Sequence, residues 1–402
     1  MRLRRRPGIV RLARDVPSTG DPRLLLPLAA ALLVLLGIIW LGYPLVVALL
    51  ARLRRAHPSR QSGDPAPGLA PLVSVVVASA DPAAQIAARV HDLLAATYPA
   101  DRLEIVLALD AVNGRARPEE LAGLDGRVRV VPGDLPGGKA ATLNAGVRAA
   151  AGDLLVFTDT HQRFEPGAIA ALVAALRADA RLGAVSGALA LSGGRRARTP
   201  AEWYWLLERT LRANEARLHS VVGVTGAIYA MWRELWAPLP AGLILDDLYV
   251  PMRLVLAGRR VGFEPAARAT DARTFTASQE FRRKVRTLTG NLQLCAWLPG
   301  VLVPWRNPVW LQFLCHKLLR LLTPYLAVGA VLALAAYAVS ALWALAGWRA
   351  LALAASVAAL ALAHPAIRRR VARQLEWVVL LQAAAVLATV NGVRGRWTVW
   401  QR

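Results

Sequence analysis

The apolar positions of this chain are concentrated in long runs near its two ends. Residues 24–50 contain no charged residue, and further apolar runs cover about residues 321–345, 349–364 and 375–392. A helix needs roughly 20 mostly apolar residues to cross a bilayer. The pattern therefore predicts one transmembrane helix before the central region and three transmembrane helices within residues 321–402.

The central region, residues 71–290, has the spacing of alternating strands and helices. Short apolar runs predict strands, and apolar residues three or four apart predict helices. The predicted strands are 72–77, 103–109, 128–131 and 154–158, and the predicted helices are 83–96, 139–151 and 166–176. This alternation is typical of a parallel, doubly wound sheet. We expect an α/β domain inserted between transmembrane helices, with ligands beyond the carboxyl ends of its strands.

The remaining segments suggest how the chain is placed in a membrane. Residues 1–23 form an Arg-rich tail, residues 51–70 a linker with several prolines and glycines, and residues 291–320 an interfacial amphipathic segment with tryptophans. The loop 365–374 is basic through Arg368, Arg369, Arg370 and Arg373, so the positive-inside rule predicts that it is cytosolic. Counting back across two spans places residues 71–290 in the cytosol as well.

The basic tail disagrees with this topology, because a single span at 24–50 would leave the tail outside. Either the large cytosolic domain overrides the tail charge, or residues 24–50 form a hairpin around Gly42 and Pro44. We favour the first alternative. The expected location is the inner (plasma) membrane of a bacterial-type cell, with several membrane passes.

The formal net charge of +23 at first favours a nucleic-acid-binding protein. The arginines, however, flank the apolar runs, where anionic headgroups attract them, and no zinc-knuckle, aromatic RNA-binding or basic-zipper pattern accompanies them. Membrane lipids are therefore the expected partner, and nucleic acid is not. Cys295 and Cys315 lack metal-ligand spacing and are predicted to be buried free thiols. Only three of the 49 basic residues are lysines, Lys139, Lys284 and Lys317.

Acidic residues follow several apolar runs of the central region. Asp110 ends LEIVLALD, Asp159 ends DLLVFTD, and Asp246 and Asp247 follow GLIL. A single aspartate in such a place is often a turn residue. Carboxylates from several strand ends, however, can meet at one rim of a sheet and share a ligand and a divalent metal ion.

These residues stand in a series of motifs whose order is more specific than any single motif. The motifs are VSVVV, TYP, LEIVLALD, GGKAATLNAG, LLVFTD, VTGAIYA, ILDDLYVPMRLVLAG, EFRRKVR and HKLLRLLTP. Over about residues 71–325 the chain resembles the membrane-bound glycosyltransferases of family 2, which include the cellulose, hyaluronan and poly-N-acetylglucosamine synthases. The resemblance implies a glycosyltransferase A-like domain that uses a nucleotide-sugar donor, with UDP as the expected nucleotide.

On the donor side, the resemblance implies that Asp110 holds the uracil and ribose, and that Lys139 lies near the diphosphate. Lys139 could equally be a solvated loop charge. Asp159 matches the first aspartate of the family's metal-binding motif, so Mg²⁺ or Mn²⁺ is expected, but His161 replaces the second aspartate. The cations Arg283, Lys284 and Arg286 match a family motif that holds the departing diphosphate, although a basic helix face against lipid headgroups would look the same.

On the acceptor side, Asp247 matches the family's general base, because a sugar hydroxyl must lose a proton as it attacks. Asp246 replaces a neighbouring glutamate and is assigned here as the N-cap of the following helix. Thr225 and Gly226 match the segment near the acceptor end. Since no second carboxylate is evident as a covalent nucleophile, we expect the reaction to invert the anomeric centre.

Three functions are compatible with the sequence. The first is a polysaccharide-synthase-like transferase with a saccharide acceptor, whose export partner, if it has one, is unknown. The second is a non-processive transferase that glycosylates a lipid, which the replacement of the family tryptophan by Thr287 favours. The third, a non-enzymatic transport subunit, is disfavoured because the C-terminal spans contain almost only Ala, Leu and Val.

Overall fold

A computed structural model describes residues 22–54, 70–191, 200–273 and 276–398. The helices, in chain order, are α1 (Pro22–Gly37), α2 (Tyr43–Leu53), α3 (Ala83–Leu94), α4 (Gly138–Ala149), α5 (Ala168–Ala178), α6 (Pro200–Leu218), α7 (Asp246–Leu256), α8 (Ala277–Trp297), α9 (Trp310–Phe313), α10 (Thr323–Ala346), α11 (Trp348–Ala363) and α12 (Pro365–Val393). The strands are β1 (Val73–Ser79), β2 (Leu103–Leu109), β3 (Val128–Pro132), β4 (Leu154–Thr158), β5 (Arg163–Phe164), β6 (Leu182–Leu191), β7 (Tyr229–Trp232) and β8 (Arg260–Asp271).

The strands form one eight-stranded sheet in the order β3-β2-β1-β4-β7-β6-β8-β5. The first four strands are parallel, as the sequence predicted. The expectation of a wholly parallel sheet is wrong, because β7 runs antiparallel to both β4 and β6, and β5 runs antiparallel to β8. The sheet is therefore mixed, and only its first half has the doubly wound order.

Helices cover both faces of the sheet, which explains why β1 has no polar face. Val76 packs in a core cluster that includes α4 and α7, whereas Val75 and Val77 pack in a second cluster with α3 and α5. Successive residues of a strand point to opposite faces, so both faces of β1 need apolar residues. The strand ends, not the faces, are left for a ligand.

The chain divides into two compact units, residues 1–37 with 325–374 and residues 38–324 with 375–402. In the first unit α1 and α10 approach closely, since a Cβ atom at Gly329 would lie 3.2 Å from Leu32. In the second unit α2 packs on α6 through Tyr43, Val47 and Leu211.

Among the described residues, two helical stretches are long and apolar enough to cross a membrane, Arg23–Leu53 and Trp310–Leu345. The backbone at Gly42 is helical (φ −60°, ψ −51°), so no hairpin turn forms there. The segments Trp348–Leu360 and Val379–Val393 are shorter apolar helices. The number of spans stays a prediction.

Two sequence-based expectations for this part of the chain are wrong. Residues 365–374 are not a loop, because α12 begins at Pro365 and carries Arg368 and Arg369 in its first turns. Proline is well tolerated at the first position of a helix, so the chain needs almost no connection after α11. Cys295 and Cys315 are free thiols, but they are half-buried rather than fully buried.

Candidate active site

Asp110 and Asp159 lie at the same rim of the sheet, immediately after the parallel strands β2 and β4. The Asp110 carboxylate accepts hydrogen bonds from two backbone segments at this rim. Its Oδ1 accepts hydrogen bonds from the N–H groups of Val112 (2.9 Å) and Asn113 (2.8 Å), and its Oδ2 accepts one from Gly138 (2.8 Å). Burial alone would raise the pKa of Asp110, but these bonds outweigh it and lower the pKa.

The loop before α4 requires glycine at residue 137. Gly137 has a positive φ of 84°, and a Cβ atom there would lie 2.7 Å from the Val112 side chain and 3.1 Å from Asp110 Oδ1. Glycine adopts this conformation without steric cost. The turn that Asp110 and Gly137 build therefore sets the start of α4, where Lys139 is the second residue.

Lys139 joins two carboxylates from distant parts of the chain. Its Nζ lies 3.2 Å from Asp159 Oδ1 and 3.3 Å from Asp246 Oδ1. Burial works against the charged ammonium, but the charges of Asp159, Asp246 and Asp247 outweigh it and raise the pKa of Lys139. The possibility of a solvated loop charge is thus wrong, because Lys139 is an ion-paired part of the site.

Asp247 faces the segment that the sequence placed near the acceptor. A Cβ atom at Gly226 would lie 3.3 Å from Asp247 Oδ2, and the Val224 N–H donates to the Asp247 carbonyl oxygen (2.9 Å). Burial and the negative charge of Asp246 raise the pKa of Asp247, while Lys139 opposes the rise. A carboxylate with a raised pKa is a stronger base than an exposed one.

Two expectations for Asp246 are wrong. The N-cap of α7 is Leu245, and Asp246 is the first helical residue, whose side chain pairs with Lys139. Nor do Asp246 and Asp247 follow a strand, because residues 242–245 lie in a turn before the helix. They reach the rim on a helix N-terminus, where the macrodipole also favours carboxylates.

His161 contacts an aspartate outside the lysine-bridged pair. Its Nε2 lies 3.5 Å from Asp81 Oδ2. Within the described ranges, no group of three or more His, Cys, Asp or Glu side chains is placed to hold a metal ion. A complete protein cage is therefore absent from this part of the chain, and a role of His161 as a metal ligand stays a prediction.

The three cations of the diphosphate motif lie on α8. Arg283 pairs with Glu280 (Nε to Oε2, 3.0 Å), and Lys284 lies 3.9 Å from the other oxygen of Glu280. Burial lowers the pKa of Lys284. The charge of Arg286 acts on Asp247 and opposes the rise of its pKa. Arg286 thus acts electrostatically on Asp247 from α8.

Sequence reasoning missed Arg89, which lies fully buried under the strand end that presents Asp159. Its guanidinium donates to Thr158 Oγ1 (2.7 Å) and stacks 4.3 Å from the ring centre of Phe164. Burial lowers the pKa of Arg89 to about 9. Thr158 in turn donates to the Ala227 carbonyl oxygen (2.9 Å), which ties the donor-side strand to the acceptor-side segment. An arginine on the apolar face of a predicted helix was the available signal.

Comparison with known proteins identifies the class of this site. Residues 70–290 match the model of a glycosyltransferase-like family 2. Because this match covers more than half of the chain, the protein belongs to that family, and it is a nucleotide-sugar-dependent glycosyltransferase. No curated protein matches the chain.

Solved structures with a similar fold include the mannosyltransferase PcManGT from Pyrobaculum calidifontis, in complex with GDP-Man and Mn²⁺. Its TM-score is 0.65 at 24% sequence identity, and the match covers 92% of this chain and 99% of that one. A weaker match is GalNAc-T7 with UDP, GalNAc and Mn²⁺, with a TM-score of 0.38 and 17% identity over 51% of this chain and 44% of that one. The first likeness supports a mixed α/β, glycosyltransferase A-like fold.

Proposed function

We propose that this protein is a membrane-bound, metal-dependent, inverting glycosyltransferase that moves a sugar from a nucleotide donor to a hydroxyl group of its acceptor. The observation that carries the proposal is the arrangement in which Lys139 joins Asp159 to Asp246, with Asp247 next in sequence and facing Gly226. This arrangement places a cationic group for an anionic leaving group and a carboxylate that can act as general base at the same rim of the sheet.

The donor side fits a divalent cation that is completed by substrate oxygens. Mg²⁺ is commonly bound by one or two carboxylates together with substrate phosphates, and the Lys139 ammonium marks a place between Asp159 and Asp246 where positive charge is already stabilised. When bound, such an ion would neutralise the leaving diphosphate. Lys139 and the N-terminus of α4 would hold the same diphosphate.

Two nucleotides, UDP and GDP, are candidates for the donor. The resemblance to polysaccharide synthases favours UDP, whereas PcManGT binds GDP-Man. Asp110 already accepts three backbone hydrogen bonds, so its first role is to shape the loop that would receive the base. A direct contact of Asp110 with uracil and ribose stays a prediction.

On the acceptor side, Asp247 would take the proton of the attacking hydroxyl. The hydroxyl oxygen forms the new bond to the anomeric carbon while the bond to the diphosphate oxygen breaks, and the diphosphate leaves with the electron pair. Lys139 and Arg286 would stabilise the developing negative charge. A single displacement of this kind inverts the anomeric centre, so an α-linked donor gives a β-linked product.

A lipid acceptor is the second candidate beside a saccharide. Thr287 replaces the family tryptophan, and its hydroxyl donates to the Arg283 carbonyl oxygen of its own helix (2.9 Å). The side chain therefore offers no aromatic surface on which a sugar chain could stack. This favours single transfer to a lipid over processive polymer synthesis.

The proposed function is tested with the full-length protein in membranes and a panel of radiolabelled UDP- and GDP-sugars. We expect one donor to release its nucleotide and label a product, whose size and lipid solubility separate a polymer from a glycolipid. The Asp247→Asn variant is the matched control, since it should bind that donor without transfer. Absence of transfer from every donor, with the protein folded and the nucleotides bound, would contradict the proposal.

The proposed topology predicts that the catalytic domain and the start of α12 lie on the same, cytosolic side. After replacement of both native cysteines, we expect cysteines at the exposed positions Glu119 and Arg369 to react with an impermeant maleimide only in inverted vesicles. The positive-inside rule is the physical reason, because it places the basic start of α12 in the cytosol. Counting back across two spans then places the catalytic domain on the same side. Labelling of the two positions from opposite sides would exclude the four-span arrangement.

A further inference from the structure

Helix α6 turns a charged face toward the segment that begins at α9. Glu208, Arg212 and Glu215 are spaced four and three residues apart, so they share one face of the helix. His316 is 2% exposed and lies against this face, with Nε2 2.9 Å from Glu208 Oε2 and Nδ1 2.9 Å from Glu215 Oε1. Arg212 therefore lies between two carboxylates that the same histidine joins.

The carboxylates of this face already have partners. Both ring nitrogens of His316 adjoin carboxylate oxygens. Arg320 also pairs with Glu208, and the Tyr43 hydroxyl donates to Glu215 (2.5 Å). The oxygens of Glu208 and Glu215 thus face His316, Arg320 and Tyr43, and among the described residues Arg212 forms no ion pair with either carboxylate.

Lys317 adds a second cation at the same place. It belongs to the π-helical turn Leu314–Leu318, next to His316. The charges that act on it are those of Arg212 and Arg320 and, in the opposite sense, those of Glu208 and Glu215. In the part of the chain that the structure describes, its ammonium has no hydrogen bond or ion pair. The Nε of Arg212 is likewise buried with no hydrogen-bond partner among the described residues. Two cations with spare hydrogen-bond donors favour an anionic ligand.

Arg212 and Lys317 lie near the proposed general base, Asp247. Arg212 Nη1 donates to Thr225 Oγ1 (2.9 Å), and the next residue, Gly226, is the one that faces the Asp247 carboxylate. Lys317 also lies within Trp310–Leu345, one of the two stretches able to span a membrane. An anion bound here can therefore belong to a molecule whose apolar part stays in the bilayer.

We propose that Arg212 and Lys317 bind the phosphate group of an anionic lipid acceptor and thereby place its headgroup hydroxyl at Asp247. The inference rests on the proposed function and names its acceptor class. The chemistry is that of the transfer already described, in which the headgroup hydroxyl loses its proton to Asp247 and the nucleoside diphosphate leaves. The phosphate itself takes no part in bond formation.

The test measures binding, so that it does not depend on turnover. Full-length protein in an uncharged detergent is titrated with short-chain phosphatidylglycerol and, separately, with diacylglycerol of the same chain length, and tryptophan fluorescence reports the Kd. We expect phosphatidylglycerol to bind more tightly than diacylglycerol, and added salt to weaken its binding. Lys317→Gln and Arg212→Gln should each weaken it about tenfold, and Lys317→Arg should restore most of it. Arg217→Gln, on an exposed position of the same helix, should change nothing.

The same variants are titrated with UDP and GDP, which also shows that they are folded. Unchanged nucleotide binding together with weakened lipid binding supports the inference. Loss of nucleotide binding with intact lipid binding would assign the two cations to the donor diphosphate and overturn it, as would equal affinity for the charged and uncharged lipids. Failure of the proposed function is distinguishable, because it would appear as absence of sugar transfer while this lipid binding persists.

Discussion

Replacing Asp247 by asparagine is expected to lower kcat by about 10²–10⁴-fold, the usual cost of removing a general base. The substitution keeps the size of the side chain, its place in the first turn of α7 and its approach to Gly226. Only the ability to accept a proton is lost. Because the diphosphate side of the site is untouched, the Kd of the nucleotide donor should stay within about threefold of the wild-type value, which isothermal titration measures.

Asp246→Asn is the matched comparison, since it changes the adjacent carboxylate in the same way. Asp246 pairs with Lys139 and is not the N-cap of α7. Its replacement should remove one of the two ion pairs that hold the Lys139 ammonium in place, and should therefore raise the KM of the donor more than it lowers kcat. If Asp246→Asn were inactive and Asp247→Asn nearly normal, the base would have to be reassigned.

The pH profiles of the variants separate the two roles further. Burial and the charge of Asp246 raise the pKa of Asp247, so wild-type kcat/KM should fall as the pH drops through that raised pKa. Asp246→Asn removes a negative neighbour, lowers the pKa of Asp247 and should move the acid limb of the profile to lower pH. Lys139→Met removes a positive neighbour and should move it to higher pH. Shifts in the same direction would contradict the electrostatic assignment.

The first half of the sheet could be predicted from the sequence because its signals are local. Each of the strands β1 to β4 is a mostly apolar run, and the helical patterns of α3 and α4 lie between them, while that of α5 follows β4. The second half was missed because β7 is only four residues long and pairs with β4 across more than 70 residues of chain. The spacing of apolar residues does not indicate the direction in which distant strands pair, so the antiparallel strands of the sheet could not be predicted from the sequence.

The site shows the same division. Asp110, Lys139 and Asp159 occur in local motifs, and the structure brings Lys139 and Asp159 together. The bond from Lys139 to Asp246 joins residues more than 100 positions apart, and Arg212 contacts Thr225 across a loop. Such contacts are set by tertiary packing, so the sequence offered only weak hints, such as the rarity of lysine.

Asp159→Ala is expected to reduce transfer by about 10³-fold or more, because stabilisation of the leaving group is usually the largest contribution to such a reaction. Asp159 is the carboxylate at the end of β4 that both a divalent cation and Lys139 would use. Sugar transfer should require added Mg²⁺ or Mn²⁺ in the wild type and stop with EDTA. The Kd of Mn²⁺ in the presence of nucleotide, followed by electron paramagnetic resonance, should rise at least about tenfold in the variant.

His161→Ala is the control that gives this result its meaning. His161 lies 3.5 Å from Asp81, so we expect its replacement to lower kcat less than about tenfold and to leave Mn²⁺ binding nearly unchanged. A large loss of Mn²⁺ binding in His161→Ala would mean that the ring turns toward Asp159 when the donor binds. Full transfer by the wild type in EDTA would instead remove the metal from the mechanism. Lys139 would then be the group at this rim that balances the diphosphate charge, and Lys139→Met should be as inactive as Asp159→Ala.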